Sequence, residues 1–348
     1  MRALLFAGVG QIAHATVPDP GIAAPGDAIV RVRVAAVCGS DLHVYRGVEA
    51  GLDLGTVMGH EFAGEVVATG AGVARFRPGD LVVSPFTTSC GACFYCRAGL
   101  TSRCAAGQLF GWVEAGRGLH GAQAELVRVP LADSTLARVP EGAPLETAVF
   151  AGDVLATGWF GAASAGAAPG AVVAVVGCGP VGLMAVVAAR ELGAARIFAV
   201  DAVPERLALA ARWGAEPVDF QQKDAAARLR EATEGRGADA VVEAVGSPQA
   251  SRLAFDLARP GGTLAAVGVH TEPHLAFAPG EAYDKNLTYR AGRAPVRRDL
   301  DRLLPLATSG RYDLAVLVSH RLPLAEGPRG YDLFDRRAEG CTKVLLLP

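Results

Sequence analysis

Four cysteines stand close together in "CGACFYCRAGLTSRC", where Cys90, Cys93, Cys96 and Cys104 follow a C-x2-C-x2-C-x7-C spacing. Four thiolates in one short loop can close a tetrahedral zinc site with no open position, the structural kind. An iron–sulfur cluster is the rival, because C-x2-C-x2-C also begins the bacterial ferredoxin run. That run continues with x3-C-P, whereas here the fourth cysteine stands eight residues on and is followed by Ala105. The spacing favours zinc.

A second group is more scattered. Cys38 ends the strand-like run "RVRVAAV" and opens "CGSDLH", while "VMGHEFAGEV" places His60 and Glu61 in an apolar, glycine-punctuated stretch. A lone cysteine after a strand is usually just small and buried, and His60 and Glu61 could be a solvated loop pair. Alternatively, a thiolate, an imidazole and one carboxylate would leave a fourth position for water or substrate, as catalytic zinc does. Spacing alone leaves both readings open.

A third chemistry lies in "VVAVVGCGPVGLMAVVAARELGAARIFAVD". G-x-G-x-x-G occurs as Gly177, Gly179 and Gly182, after a strand and at the opening of a helix. Asp201 ends the next strand, nineteen positions after Gly182. That context specifies a dinucleotide site. Gly177 permits the tight turn, Gly179 the approach of the pyrophosphate, and Gly182 close helix-to-strand packing. The phosphates would sit on the helix N-terminus. Asp201 would accept the adenosine ribose hydroxyls and repel a 2′-phosphate, favouring NAD over NADP. Cys178, between the glycines, reads as a small buried residue.

These groups need elements to hold them. The first 150 residues alternate short β-rich runs with turns, as in "AIVRVRVAAV" (28–37) and "RPGDLVV" (77–83), and a helix is hard to find there. Beyond that the pattern changes. Strands are expected at 171–177, 196–201, 238–246 and 262–269, and helices at 182–193, 204–214 and 249–258. Strands alternating with helices mean βαβ units and a parallel sheet. "LDRLLPLATSG" then reads as a helix and "KVLLLP" as a strand. The fold class is α/β.

Composition limits the rest. At 348 residues the chain has room for two domains, and its 43 glycines suit many tight strand-to-helix turns. A net charge of −2 gives no electrostatic case for nucleic acid or an anionic membrane. "MRALLFAGVG" reads as a first strand rather than a signal segment. No charge occurs from Val154 to Ala189, but glycines and prolines interrupt the tract, and buried parallel strands also read as apolar runs. Seven cysteines, an odd number, point to metal rather than to a disulfide framework. We expect a soluble, cytoplasmic protein.

Taken together, "CGSDLH", "GHEFAGEV", the four-cysteine loop, "GDVLATG", "VGCGPVGL" with its "AVD", and the terminal "KVLLL" resemble the zinc-containing medium-chain dehydrogenases, the alcohol dehydrogenase family, over essentially the whole chain. "CFYCRAG", "GAQAELVRVP" and "AGDVLATG" look most like the bacterial branch grouped with formaldehyde dehydrogenase. The resemblance implies a GroES-like β-rich catalytic domain at 1–154, completed by 293–348, and a Rossmann NAD-binding domain at 155–292, with the active site in the cleft between them. It implies two zincs per chain: a structural one on the four cysteines and a catalytic one on Cys38, His60 and Asp153, with Glu61 as alternate ligand. Ser40 takes the place of the hydroxyl that contacts the substrate alcohol, and His43 that of the terminal base of a proton relay reached through the nicotinamide ribose. The family also places Thr157 at the nicotinamide, Arg206 beside the adenine and Lys343 near the pyrophosphate. It draws Pro180, Val181, Val245, Gly246, Val267, Gly268 and Val269 into the NAD(H) site. Phe86 and Leu109 should line the substrate pocket, with Phe110, Trp112 and Trp159 as further candidates.

The implied reaction is reversible hydride transfer between an alcohol and NAD, with zinc as the Lewis acid. Rival readings are a polyol or threonine dehydrogenase on the same scaffold, a formaldehyde dehydrogenase or dismutase, and a nucleotide-binding relative without catalysis. The last would be expected to have lost ligand or relay residues, and Cys38, Ser40, His43, His60 and Asp153 are all present. The partners expected are a small alcohol or aldehyde and further copies of the chain, as a homotetramer or homodimer.

Overall fold

The computed structural model describes residues 1–348, which divide into two units, Met1–Asp153 with Pro295–Pro348, and Val154–Ala294. The first is built on a seven-stranded sheet. Its order runs His320–Pro323, Val344–Leu347, Ala28–Ala36, Glu61–Thr69, Leu81–Val83 and Ala137–Arg138, and Leu126–Val129 also pairs with Ala28–Ala36. The expected alternation in Ala28–Ala36 is present, with Arg31 and Arg33 exposed and their neighbours buried. Phe62, Val66, Leu136, Tyr331, Val344 and Leu346 meet in one core. Complete burial of a side chain such as Phe62 contributes about 1.5–3 kcal/mol.

Helices do occur before residue 150, contrary to the sequence reading: Asp41–Tyr45, Phe94–Arg97, Ala132–Thr135 and Leu145–Ala151. None exceeds two turns, too short for a 3.6-residue apolar period to show. The predicted C-terminal helix spans Val296–Thr308 and carries Pro305 inside it, and the terminal strand is Val344–Leu347.

The second unit is a parallel six-stranded sheet. Its strands, in spatial order, are Glu216–Asp219, Arg196–Asp201, Val172–Val176, Ala238–Glu243, Ala258–Ala266 and Thr288–Ala291. Numbered along the chain this is 3-2-1-4-5-6, the Rossmann order. The predicted helices are Pro180–Glu191, Pro204–Arg212 and Pro248–Leu257, each with proline in its first turn, where the missing N–H costs nothing. The charge-free tract from Val154 resolves into helix Val154–Ala165, strand Val172–Val176 and the start of the next helix. No helix is long and apolar enough to cross a membrane.

Candidate active site and metal centres

The catalytic candidates meet because of strand register. Strand Ala28–Ala36 pairs antiparallel with Glu61–Thr69, Ala36 opposite Glu61, and Leu345 lies opposite Ala36 on the other side. Cys38 just past one strand, His60 just before the next and Lys343 just before the third are thereby drawn to one end of the sheet. Asp153 joins them from the break between helices Leu145–Ala151 and Val154–Ala165. Donor atoms of Cys38, His60, Glu61 and Asp153 all lie within 4.8 Å of one another, and all four residues are buried.

The spacing within this group fits zinc. Asp153 Oδ2 lies 3.6 Å from Cys38 Sγ and 3.2 Å from His60 Nε2. Tetrahedral bonds of about 2.3 Å to sulfur and about 2.0 Å to nitrogen and oxygen require separations of about 3.5 Å and 3.3 Å. Charge fits as well. Burial, then the Asp153 and Glu61 carboxylates, push the Cys38 thiol up to about 11. Burial opposes the charged form of His60, yet Asp41 and Asp153 hold its pKa well above the ordinary value. Such crowding of negative charge around buried donors suits a divalent cation.

Glu61 stands differently. Its Oε1 accepts from Lys343 Nζ at 2.5 Å, with both side chains fully buried, and Oε2 has no partner. Burial raises the Glu61 pKa, and the lysine partly offsets it. Lys343, expected beside a pyrophosphate, thus has a carboxylate partner within the catalytic unit.

Ser40 precedes helix Asp41–Tyr45 without capping it, and its Oγ lies 3.3 Å from His60 Nε2. His43, on that helix, has a buried Nδ1 without a partner, and burial lowers its pKa. On the other side of the ring, His60 Nδ1 faces Asp41 Oδ1 at 3.3 Å. The sequence reading gave Asp41 no role; its place three residues after Cys38 was the available signal.

Among the apolar candidates, Phe86 is buried with its ring edge-on to His60, centroids 6.3 Å apart. Leu109 is half-buried and bridges to Thr87. Phe110 is fully buried in the core and packs edge-on against Phe62. Trp112 lies partly buried against the same core, its Nε1 donating to Glu114. Thr157 and Trp159 sit in the second unit on helix Val154–Ala165.

In the structural loop the four sulfurs lie within 4.8 Å of one another, with Cys93 and Cys104 4.0 Å apart. A tetrahedral zinc would set them about 3.8 Å apart. Backbone N–H groups of Ala105 and Cys96 hold the Cys93 thiol down to about 6, while burial pushes the Cys96 and Cys104 thiols up. The one-turn helix Phe94–Arg97 brings Cys96 back toward Cys93.

The dinucleotide turn has three different glycines. Gly177 has φ +88°, and a Cβ there would meet Val245 at 2.3 Å. A Cβ at Gly182 would come within 1.7 Å of the Gly177 carbonyl oxygen, so helix and turn touch backbone to backbone. Gly179 faces open space, next to the uncapped N-terminus that carries Pro180 and Val181. That open face can take a pyrophosphate. Asp201 is buried: Oδ2 accepts from Cys178 N at 2.6 Å, and Oδ1 from Ala202 N and Val203 N, with Arg206 4.0 Å away. Three of its roughly four lone-pair sites are therefore already used.

Two further segments flank the turn. Glu243, also not anticipated, is buried and accepts from Val245 N and Gly246 N at 2.8 Å each, while His270 Nε2 lies 2.8 Å from its other oxygen. A Cβ on Gly268 would strike Gly246 N at 2.2 Å, so the segment of Val267, Gly268 and Val269 packs directly on Gly246.

A family model described as the alcohol dehydrogenase GroES-like domain matches residues 24–141, and one described as zinc-binding dehydrogenase matches 180–309. Zinc-type alcohol dehydrogenase B of Aspergillus flavus is 45% identical over 343 residues, spanning 96% of this chain and 79% of that one. The NADP-dependent isopropanol dehydrogenase of Thermoanaerobacter brockii is 36% identical over 92% of this chain and 89% of its own. The glutathione-independent formaldehyde dehydrogenase of Pseudomonas aeruginosa is 33% identical over 96% and 94%. Among solved structures, the alcohol dehydrogenase TADH from Thermus sp. ATN1 matches with a TM-score of 0.93 at 44% identity, covering 100% of this chain and 99% of that one.

Proposed function

The chain belongs to the zinc-containing medium-chain alcohol dehydrogenase family and is a zinc-dependent alcohol dehydrogenase, and we propose that it uses NAD, with Cys38, His60 and Asp153 holding the catalytic zinc. The observation that carries this ligand set is the pair of distances from Asp153 Oδ2, 3.6 Å to Cys38 Sγ and 3.2 Å to His60 Nε2. Glu61 has its charge met by Lys343, which leaves a thiolate and one carboxylate to balance a divalent ion. When bound, zinc supplies a Lewis acid that lowers the pKa of the alcohol, and the nicotinamide supplies the hydride acceptor.

The chain's own residues do the rest. Ser40 Oγ, beside His60, takes the alcohol proton, and His43 is the base from which it leaves for solvent. Burial keeps the His43 ring neutral, so it can accept a proton at neutral pH. Phe86 gives the substrate an apolar wall next to His60, which suits aliphatic and aromatic alcohols better than polyols. Asp201 disfavours a 2′-phosphate by its charge.

The seven cysteines, none of them in a disulfide, suit a reducing compartment such as the cytoplasm. The open edge strand Thr288–Ala291 gives a second copy a place to pair, in keeping with a homodimer or homotetramer. Aldehyde oxidation of the formaldehyde dehydrogenase kind is a second reading, favoured by the Pseudomonas relative. A panel of alcohols and aldehydes, assayed with NAD, with NADP and with no added nucleotide, tests these readings together. Alcohol oxidation that requires added NAD supports the first, whereas aldehyde turnover without added nucleotide would establish the second.

A further inference from the structure

We propose that Gln123 and Tyr331 are positioning residues for the catalytic zinc, holding His60 from behind through the buried carboxylate of Asp41. The Tyr331 hydroxyl donates to Gln123 Oε1 at 2.8 Å. Gln123 Nε2 donates to Asp41 Oδ2 and to the Ala36 carbonyl, each at 3.2 Å. The same Asp41 oxygen accepts from Cys38 N at 3.0 Å, and its other oxygen faces His60 Nδ1 at 3.3 Å. Tyr331 and Gln123 are fully buried and Asp41 nearly so.

The chemistry of this chain has one solution. Ala36 O and the Asp41 carboxylate are acceptors and need donors, so the amide nitrogen of Gln123 must face them. Its oxygen is then left for the tyrosine proton. With Oδ2 held by Gln123 and by the Cys38 backbone, Asp41 can turn only Oδ1 to His60. That contact directs the other ring nitrogen, Nε2, toward Cys38 and Asp153, and outer partners of this kind orient metal ligands.

Packing makes the arrangement specific. Gln123 N donates to Met58 O at 2.8 Å, which ties it to the segment leading into His60. A Cβ on Gly59 would come within 2.3 Å of Gln123 Cγ, so the glutamine stem rests against the backbone just before the histidine. Tyr331 comes from helix Gly327–Arg336, and its ring lies 5.6 Å from that of Tyr45, on the helix that begins at Asp41. Helix Gly327–Arg336 thus reaches Asp41 through the Gln123 amide.

The inference rests on Cys38 and His60 being zinc ligands, and the test separates the two. Gln123→Met keeps the volume and removes the polar atoms, Tyr331→Phe removes one oxygen, and the double variant combines them. Zinc content is measured against graded chelator, and the absorption bands of the cobalt-substituted enzyme report ligand geometry. Gln123→Met is expected to weaken the catalytic zinc by roughly 10-fold or more and to shift the cobalt bands, with the four-cysteine zinc retained. Tyr331→Phe moves both readouts in the same direction and less, and adds nothing in the Gln123→Met background, because it acts through that amide. If Gln123→Met does not fold, Tyr331→Phe decides alone. Two zincs in the wild type with unchanged chelator midpoints and cobalt bands in the variants would overturn the positioning role, whatever the melting temperatures. A single zinc in the wild type would overturn the ligand assignment and this inference with it.

Discussion

Lys343 Nζ lies 2.5 Å from Glu61 Oε1 where neither side chain meets solvent. Glu61 begins one neighbour of strand Ala28–Ala36 and Lys343 immediately precedes the other, so the pair ties the C-terminal strand to the segment that carries His60. Burial opposes the charge on each, and the partner is the foremost of the neighbouring groups that favour it. Lys343→Met leaves a buried carboxylate alone and is expected to cost about 3–5 kcal/mol. Adding Glu61→Gln should recover much of that loss in a denaturant titration. An equally unstable double variant would show that the lysine stem, rather than its charge, matters.

The four-cysteine loop should be structural. Cys96→Ser is expected to lower the melting temperature or loosen the assembly while the catalytic zinc still binds in the folded fraction. Metal analysis of the wild type should give two zincs per chain, one for each donor group. Visible absorption from an iron–sulfur cluster would overturn the assignment.

Coenzyme choice should depend on Asp201. Asp201→Ala is expected to raise KM for NAD by roughly 10- to 100-fold, the worth of one hydrogen bond to a charged acceptor, and to let NADP compete. Because Asp201 also accepts from the backbone of Cys178, Ala202 and Val203, some of that loss comes from a loosened turn. A wild-type enzyme that already prefers NADP would refute this role for the carboxylate.

Which parts of this site a sequence can disclose follows from how they are assembled. The cysteine loop and the glycine turn each lie in one continuous stretch, so spacing reports them directly, and the strands and helices from 171 to 269 follow from periodicity. Cys38, His60 and Asp153 meet through antiparallel register and a break between helices, which spacing does not encode. Their grouping came from resemblance instead. Lys343, Gln123 and Tyr331 act by long-range contacts between buried side chains and leave no local pattern. For Phe110 the sequence leaves pocket and core equally open, because an apolar side chain does not disclose which way it faces; its ring packs in the core against Phe62. Strand Glu216–Asp219 was unread because four residues with a proline give no alternation, as suits an edge.

The proton route should show in the pH profile. Burial lowers the His43 pKa below its usual 6.5, so the ring stays neutral, and able to accept a proton, to a lower pH than an exposed histidine. Alcohol oxidation should therefore hold through neutral pH and fall only as the pH drops through that lowered value. His43→Ala is expected to slow oxidation by roughly 10²-fold near neutral pH, much less at high pH, where hydroxide takes the proton, and little below the His43 pKa, where the wild-type base is already protonated. A pH–rate profile unchanged by the substitution would remove His43 from the route.

The most exposed of these predictions separates two carboxylates. Asp153 has its Oδ2 against both Cys38 Sγ and His60 Nε2, while Glu61 has one oxygen on Lys343 and the other unpartnered. A ligand and a reserve should respond differently to loss of charge. Asp153→Asn leaves a thiolate as the only anionic donor, so most of the catalytic zinc and nearly all activity should go. Glu61→Gln should keep that zinc, because Cys38, His60 and Asp153 remain, but lower kcat by removing a charge close to the metal. Zinc analysis and steady-state rates on the two variants decide between them. Zinc lost with Glu61→Gln and kept with Asp153→Asn would make Glu61 the third ligand and move this enzyme toward the polyol dehydrogenase arrangement.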